Sequence, residues 1–218
     1  MQQNPPDGYL ARPTSGTGPG VLVLHAWWGL NDTIKAFCDR LAGAGFLAFA
    51  PDLYHGKIAT TIPQAEELSS ALDSRYVEAR AEVKASALYL SELVGPAAGY
   101  KLAVVGFSLG AYYALDLSTT DPEHIRSVVV FYGTGVEDFS GSQADYLGHF
   151  AANDPYEPPE NVDQLEALLE QAGRPATLHR YAGTGHWFFE PDRADAYNKA
   201  SADLAWERTL DFLKRTTA

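Results

Sequence analysis

The apolar positions of the chain follow two alternating spacings. Residues 21–25 form a short apolar run with β-branched members, which is typical of a buried strand. Ile34, Phe37, Cys38 and Leu41 then fall at i, i+3, i+4 and i+7, which predicts a helix with one apolar face. Strand-like and helix-like segments continue to alternate to the end of the chain, so the pattern indicates a regular succession of both elements.

This succession predicts an α/β fold. Further strands are expected at residues 46–50, 102–107, 127–132, 146–151 and 176–181, with an antiparallel edge strand at 8–12. Further helices are expected through Val83 to Val94, from Ser108 to about Leu117, through Val162 to Leu169, and at the end with Ala202, Trp206, Leu210 and Leu213 on one stripe. Several strands are apolar on both faces, so we expect a mainly parallel, doubly wound sheet with helices on both faces. No linker rich in Pro, Gly or Ser divides the chain, which favours one domain over residues 1–218.

Composition and charge narrow the classes of partner. The chain has 218 residues, of which 46% are hydrophobic, and it contains no apolar run near the roughly 18 residues of a membrane span. Its formal net charge of -12 argues against nucleic acid, because binding phosphates needs a basic face. The single cysteine, Cys38, excludes an internal disulfide and a cysteine metal cluster, and residues 1–7 do not resemble a secretory signal. We therefore expect a cytoplasmic protein that binds neither nucleic acid nor membrane.

One motif carries candidate chemistry. Gly106-Phe107-Ser108-Leu109-Gly110 lies where a predicted strand runs directly into a predicted helix, as in a nucleophile elbow, whose tight turn strains the serine backbone and needs both glycines. Ser108 would project its hydroxyl above the sheet, and the Leu109 N–H would face a developing oxyanion. The alternative is a chance match to G-x-S-x-G, but the strand before it and the helix after it favour Ser108 as a nucleophile.

A serine hydroxyl becomes a good nucleophile only when a base takes its proton and a carboxylate orients that base. In folds with this elbow the acid and then the base follow the serine, each on a loop after a later strand. Asp154 follows the predicted strand 146–151, and His186 follows the predicted strand 176–181. We therefore predict a triad of Ser108, Asp154 and His186.

Other histidines and carboxylates of the chain compete with the triad residues for these roles. His25 ends the first long strand, where it would either line the pocket or hold a loop by hydrogen bonding, and the second role is favoured. The rival acids are Asp145, which precedes a strand, and Asp163, which suits the first turn of a helix. Neither position agrees with the expected loop, so Asp154 remains the predicted acid.

The loop after the first long strand should supply the second oxyanion donor. This loop contains Ala26 and Trp27, and the backbone N–H of Trp27 is the predicted donor, with Ala26 as the alternative. Aromatic residues near the predicted site are candidates for an apolar pocket wall. They are Trp28, Tyr54, Tyr112, Trp187 and Phe188.

With these motifs in place, the chain resembles the dienelactone hydrolase family along almost its whole length. The segments that carry the resemblance are residues 20–24 with the aromatic pair and Gly29 behind them, 50–54, the elbow, 131–133, 185–188 and 206–213. The resemblance implies a compact α/β-hydrolase fold and an ester or lactone hydrolase without cofactor or metal. In that family the triad is cysteine, aspartate and histidine.

Three positions depart from the family pattern. Ser108 stands where the family has its cysteine, and Ala26 stands where thiol enzymes of the family keep a glutamate that manages the protonation of the thiol. A hydroxyl has no thiolate to control, so the two changes agree with each other. Glu190 matches the position of an arginine that pairs with the carboxylate of dienelactone. A carboxylate lining the pocket there would repel an anionic lactone, which favours a neutral or apolar ester.

The sequence therefore predicts a serine hydrolase that cleaves a small-molecule carboxylic ester or lactone through an acyl-enzyme on Ser108. Two alternatives stay open at this point. One is a thioesterase or peptidase that uses the same triad, because fold and motif do not distinguish these substrates. The other is a non-catalytic protein that binds a ligand on the same fold.

Overall fold

The computed structural model of the chain describes residues 5–95 and 101–217, so residues 1–4 of the N-terminal segment considered above lie outside it. Within these residues, strands and helices alternate along the chain. In order they are β1 (Gly8–Ala11), β2 (Gly20–Leu24), α1 (Asp32–Gly43), β3 (Leu47–Pro51), α2 (Ile62–Asp73), α3 (Tyr76–Val94), β4 (Leu102–Phe107), α4 (Leu109–Thr120), β5 (Ile125–Phe131), β6 (Asp145–Ala151), α5 (Pro159–Gln171), β7 (Ala176–Tyr181) and α6 (Lys199–Thr217).

The strands form one sheet in the order β1-β3-β2-β4-β5-β6-β7. Strands β2 to β7 run parallel, and β1 pairs antiparallel with β3 at the edge, with Gly8 opposite Pro51 and Ala11 opposite Ala48. The predicted strands agree with β1–β7 to within two residues at each end. The mainly parallel α/β fold is confirmed.

Helices cover both faces of the sheet. Val21 and Val23 pack into the core on the side of α1 and α6, whereas Leu22 and Leu24 pack on the side of α3 and α4. Successive strand residues point to opposite faces, so a strand that is covered twice must be apolar at every position. This is why β2 has no polar residue.

Two features of the helices differ from the prediction. Helix α2 (Ile62–Asp73) was not expected. The hydrophobic periodicity predicts only a polar connection to α3 in this stretch. In α6, Ala205 and Thr209 are buried, while Trp206 and Leu210 are only partly buried. Thr209 can face the core because its hydroxyl is hydrogen-bonded to Nε2 of His149 at 2.9 Å, a partner on β6 that helical periodicity does not reveal.

In the part of the chain that the structure describes, no helix is both long enough and apolar enough to span a bilayer.

Candidate active site

The turn between β4 and α4 has the geometry of a nucleophile elbow. Ser108 has φ 49° and ψ -112°, a conformation that costs a non-glycine residue on the order of 1–3 kcal/mol. A Cβ on Gly106 would come within 2.3 Å of the Gly110 carbonyl oxygen, and a Cβ on Gly110 within 2.3 Å of the Leu24 carbonyl oxygen. The two glycines let the helix start directly against β2 and aim the serine away from the sheet.

The structure brings the three predicted triad residues together at the carboxyl edge of the sheet. Oγ of Ser108 lies 2.9 Å from Nε2 of His186, and Nδ1 of His186 lies 2.7 Å from Oδ2 of Asp154. These residues follow β4, β7 and β6 respectively, and open parallel sheets place their sites where such strand ends meet.

The loop of Asp154 fixes both oxygens of its carboxyl group. Oδ1 accepts hydrogen bonds from the backbone N–H groups of Tyr156 at 2.9 Å and Glu157 at 3.0 Å, which leaves Oδ2 for His186. The tautomer of His186 with its proton on Nδ1 donates to Oδ2 of Asp154 and leaves Nε2 without a proton beside Oγ of Ser108, which is the arrangement that a general base requires. The side chains of Asp154 and His186 are 1% and 5% exposed, which shields this chain of hydrogen bonds from water.

The two residues predicted to supply the oxyanion donors lie beside Ser108. Leu109 and Trp27 both line the cleft beside Ser108, and neither N–H has a hydrogen-bond acceptor among the described residues. Leu109 is the first residue of α4, where the N–H points out of the helix end. Ala26, the alternative residue, is buried and is not among the residues that line the cleft.

His25 is completely buried behind the loop that carries Trp27. Its Nδ1 donates to the Ala26 carbonyl at 2.8 Å, and its Nε2 accepts from the Leu53 N–H at 3.3 Å. Burial lowers the pKa of the imidazole, which favours the neutral ring that both bonds require. This geometry agrees with a structural role for His25.

The side chain of Ser108 opens onto a cleft of about 280 Å³. Of the predicted pocket residues, Tyr112 and Trp187 line it. The prediction missed five others, namely Tyr132, Gly133, Thr134, Tyr156 and Glu157. They follow β5 and Asp154, so the rule that located the triad at strand ends could also have found them.

Four predicted pocket residues do not line this cleft in the structure. Trp28 packs against Trp187 with ring centroids 5.1 Å apart, and Tyr54 packs against His25 with ring centroids 4.9 Å apart. Phe188 is fully buried beneath Tyr132. These side chains form the layer behind the cleft, because their long apolar surfaces are better buried than exposed.

The fourth residue, Glu190, lies behind the cleft and is not part of its wall. It is buried, and Tyr132, which does line the cleft, donates a hydrogen bond of 2.7 Å to its Oε1. Burial raises the pKa of Glu190 to about 8, which keeps it neutral over much of the physiological range. Glu190 therefore does not present a charge to a ligand in the Ser108 cleft.

Metal chemistry has no visible site in the described residues. Over residues 5–95 and 101–217, no group of three or more His, Cys, Asp or Glu side chains is gathered so as to hold a metal ion. Cys38 is a free, buried cysteine on the apolar face of α1.

Known proteins resemble the chain over nearly its full length. The profile of the dienelactone hydrolase family matches residues 7–217. Protein usf of Aquifex pyrophilus is 33% identical, with 95% of this chain and 92% of the relative covered. A protein of Aquifex aeolicus with the provisional name carboxymethylenebutenolidase is 30% identical, with the same shares covered.

Solved structures agree with the sequence relatives. A protein of Klebsiella pneumoniae, provisionally described as a dienelactone hydrolase, has a TM-score of 0.80 and 28% identity, with 94% of this chain and 90% of that chain covered. A thermophilic esterase of Thermogutta terrifontis shares the fold alone, with a TM-score of 0.72, 15% identity and 94% and 86% of the two chains covered. Because the family profile matches almost the whole chain, the chain belongs to the dienelactone hydrolase family.

Proposed function

We propose that the chain hydrolyses a carboxylic ester or lactone through an acyl-enzyme on Ser108. The observation that carries the proposal is the continuous chain of hydrogen bonds from Ser108 Oγ through His186 to Asp154. Its serine end opens into a cleft beside the backbone N–H groups of Leu109 and Trp27, for which the described residues supply no acceptor. The groups proposed as nucleophile, base, orienting acid and oxyanion donors therefore lie close together, which supports acyl transfer as the reaction.

In the first half of the reaction, Oγ of Ser108 attacks the carbonyl carbon while Nε2 of His186 takes the hydroxyl proton. The carbonyl oxygen becomes an oxyanion, held by the N–H groups of Leu109 and Trp27. The C–O bond to the alcohol then breaks, and His186 returns its proton to the departing oxygen. Asp154 stabilises the imidazolium formed between these two transfers.

In the second half, water replaces the alcohol. The oxygen of the water attacks the acyl carbon while His186 takes a proton from the water. The bond between the acyl carbon and Oγ then breaks, and His186 returns the proton to Oγ of Ser108. An opened lactone leaves as a hydroxy acid, because its alcohol remains joined to the acyl part. No external redox partner or cofactor enters the balance of these steps.

The chain is proposed to be a serine variant of a family that ordinarily uses cysteine. Ala26, whose position the thiol enzymes of the family occupy with a glutamate, is buried and places no carboxylate near Ser108. A serine hydroxyl is activated at the moment of attack and has no resting thiolate to stabilise. Loss of the glutamate is therefore compatible with the serine.

The test compares Ser108→Ala with Ser70→Ala, which alters an exposed serine on α2. With p-nitrophenyl butyrate, Ser108→Ala should lower kcat by about 10⁴- to 10⁶-fold, while Ser70→Ala should retain full activity. Retention of activity by Ser108→Ala would show that another group is the nucleophile.

Two further measurements separate the rival functions. A fluorophosphonate probe should label Ser108 in the wild-type protein but not in the alanine variant, and a folded protein that does not label would support the ligand-binding alternative. A panel of oxygen esters, thioesters and peptides with matched acyl groups then ranks kcat/KM, and higher values for thioesters or peptides would reassign the substrate class.

A further inference from the structure

Among the described residues, the wall of the Ser108 cleft contains one carboxylate besides the triad and neither lysine nor arginine. This carboxylate is that of Glu157. Glu157 follows β6 in the loop of the triad acid and is 9% exposed. A carboxylate in this position gives the cleft a fixed preference for the charge of its ligand, a role that the sequence had suggested for Glu190.

Glu157 is held in place with one oxygen left over. Its Oε1 accepts hydrogen bonds from Oγ1 of Thr134 at 3.0 Å and from Nδ2 of Asn161 at 2.9 Å. Its backbone N–H donates to Oδ1 of Asp154. Oε2 accepts no hydrogen bond from the described residues, so a buried carboxylate in a built loop has an oxygen available for a ligand.

Aromatic residues line the same cleft as Glu157. Tyr156 precedes Glu157 in the chain. Its ring centroid lies 5.9 Å from that of Trp27, 5.0 Å from that of Trp187 and 5.1 Å from that of His186. Tyr112 and Tyr132 line the same cleft. Aromatic faces attract cations through their quadrupoles, and an aromatic cage with a nearby carboxylate is the arrangement that recognises alkylated ammonium groups.

Neighbouring charges do not cancel this preference. A second cavity of about 380 Å³ shares Tyr156, His186 and Trp187 with the cleft, and its described wall contains Asp195 but no lysine or arginine. Arg80, which lies over the ring of Tyr76, forms two hydrogen bonds of 2.8 Å with Asp116. The described walls of the two cavities thus contain Glu157 and Asp195 but neither lysine nor arginine, and the whole chain has a formal net charge of -12.

We propose that the preferred substrates are esters that carry an alkylated ammonium group, with Oε2 of Glu157 and the rings of Trp27 and Tyr156 as the cation site. This inference rests on the proposed hydrolytic function and names its substrate class. The overall negative charge of the protein would also raise the local concentration of a cationic ester and its association rate. An anionic lactone would be repelled by Glu157.

The first test uses two butyrate esters of nearly equal shape, because only charge should then differ. Choline butyrate carries a trimethylammonium group, and 3,3-dimethylbutyl butyrate carries a tert-butyl group in its place. We expect kcat/KM of the wild-type protein to be about tenfold or more higher for the choline ester. A ratio near one, with both esters hydrolysed, would overturn the inference and leave the hydrolytic function intact.

Matched variants locate the cation site. Glu157→Gln keeps the shape and the acceptor oxygen at Oε1 but removes the charge, and it should bring the ratio of the two kcat/KM values close to one. Because the measured quantity is the ratio of kcat/KM for the two esters, a loss of turnover that affects both esters equally does not change it. Asp195→Asn removes the charge of the second cavity and should retain the ratio. If Glu157→Gln retained the ratio, or if Asp195→Asn lost it, the assignment of the cation site to Glu157 would be refuted.

A binding experiment does not depend on turnover. In Ser108→Ala, phenyltrimethylammonium should quench tryptophan fluorescence saturably, because Trp27 and Trp187 line the cleft, and Glu157→Gln in the same background should weaken that binding about tenfold. Absence of saturable binding at millimolar concentration would contradict the inference. Binding without hydrolysis of either ester by the wild-type protein would contradict the proposed enzyme function instead.

Discussion

The hydroxyl group of Tyr132 donates a hydrogen bond of 2.7 Å to Oε1 of Glu190, and Oε2 of the same buried carboxyl group has no partner among the described residues. Tyr132 has φ 40°, and its ring lies 4.9 Å from that of His186. The ring of Tyr132 thus connects the carboxyl group of Glu190, which has one hydrogen bond, to His186, the predicted base. Protonation of Glu190 should affect the stability of the layer beneath the site.

Glu190→Gln should make stability less dependent on pH. Burial raises the folded-state pKa of Glu190 from 4.5 to about 8, so the folded protein retains a proton that the unfolded chain has lost between these values. The free energy of unfolding of the wild-type protein should therefore fall as pH rises from about 5 to 8, by a few kcal/mol from this group. Glutamine cannot ionise, so the variant should be similar to wild type at pH 5 and more stable at pH 8.

Urea denaturation at pH 5, 6, 7 and 8 measures this difference. Glu123→Gln, at an exposed glutamate, is the control and should not change the pH dependence. If Glu190→Gln loses as much stability as wild type between pH 5 and 8, the carboxyl group is not the source of the slope.

Tyr132→Phe should destabilise the protein more at pH 8 than at pH 5. The substitution keeps the ring against His186 but removes the hydrogen bond at Oε1, which costs about 1–3 kcal/mol for a buried group and more for a charged one. A double-mutant cycle with Glu190→Gln in urea denaturation isolates the coupling between the two side chains. Additive effects at both pH values would contradict a direct energetic link.

The positions of the elbow and of the three proposed triad residues could be predicted because their signals are local. Gly106 and Gly110 flank Ser108 at fixed spacing, and Asp154 and His186 directly follow predicted strands. Strand ends define one edge of a parallel sheet, so chain order alone brings these residues to the same region. The positions of the strands were predictable for the same reason, since a strand covered on both faces is a continuous apolar run.

The direction of a side chain in a loop could not be predicted. Glu190 lies only four residues after His186, but the turn between them directs it into the core, where the hydroxyl of Tyr132 compensates part of its burial. Tyr156 and Glu157 face the cleft because their N–H groups bind Oδ1 of Asp154. The directions of these side chains depend on turn geometry or on hydrogen-bond partners that are distant in sequence. Hydrophobic periodicity contains no information on either.

Asp154→Asn should nearly abolish turnover without unfolding the protein. Its Oδ1 accepts two backbone hydrogen bonds, so an asparagine that keeps them must present its NH₂ group to Nδ1 of His186. The imidazole would then favour the tautomer with its proton on Nε2, which cannot accept from Ser108. We expect kcat for p-nitrophenyl butyrate to fall by about 10³- to 10⁴-fold.

The control for this prediction is Asp211→Asn, at an exposed position of α6, which should keep full activity. Circular dichroism and the urea midpoint of Asp154→Asn establish that the fold is retained. A variant that stays folded and keeps more than a tenth of wild-type kcat would remove Asp154 from the proposed mechanism.

Gly110→Ala should destabilise the protein through a backbone collision. The added Cβ would come within 2.3 Å of the Leu24 carbonyl oxygen and 2.7 Å of the His25 carbonyl oxygen. Both atoms belong to the backbone at the end of β2, so relief requires α4 to move away from the sheet, at a cost of about 3 kcal/mol or more. That movement would also shift Ser108, whose strained conformation depends on the start of α4.

Gly43→Ala provides the matched control for this substitution. Gly43 is exposed at the last residue of α1, a Cβ there meets nothing within 4 Å, and its φ is not positive. Alanine should leave stability unchanged or raise it by up to about 1 kcal/mol, because it restricts the unfolded chain. Thermal unfolding should therefore give a lower Tm for Gly110→Ala and an equal or higher one for Gly43→Ala. Equal Tm values for Gly110→Ala and wild type would mean that the elbow does not need the close approach of α4 to β2.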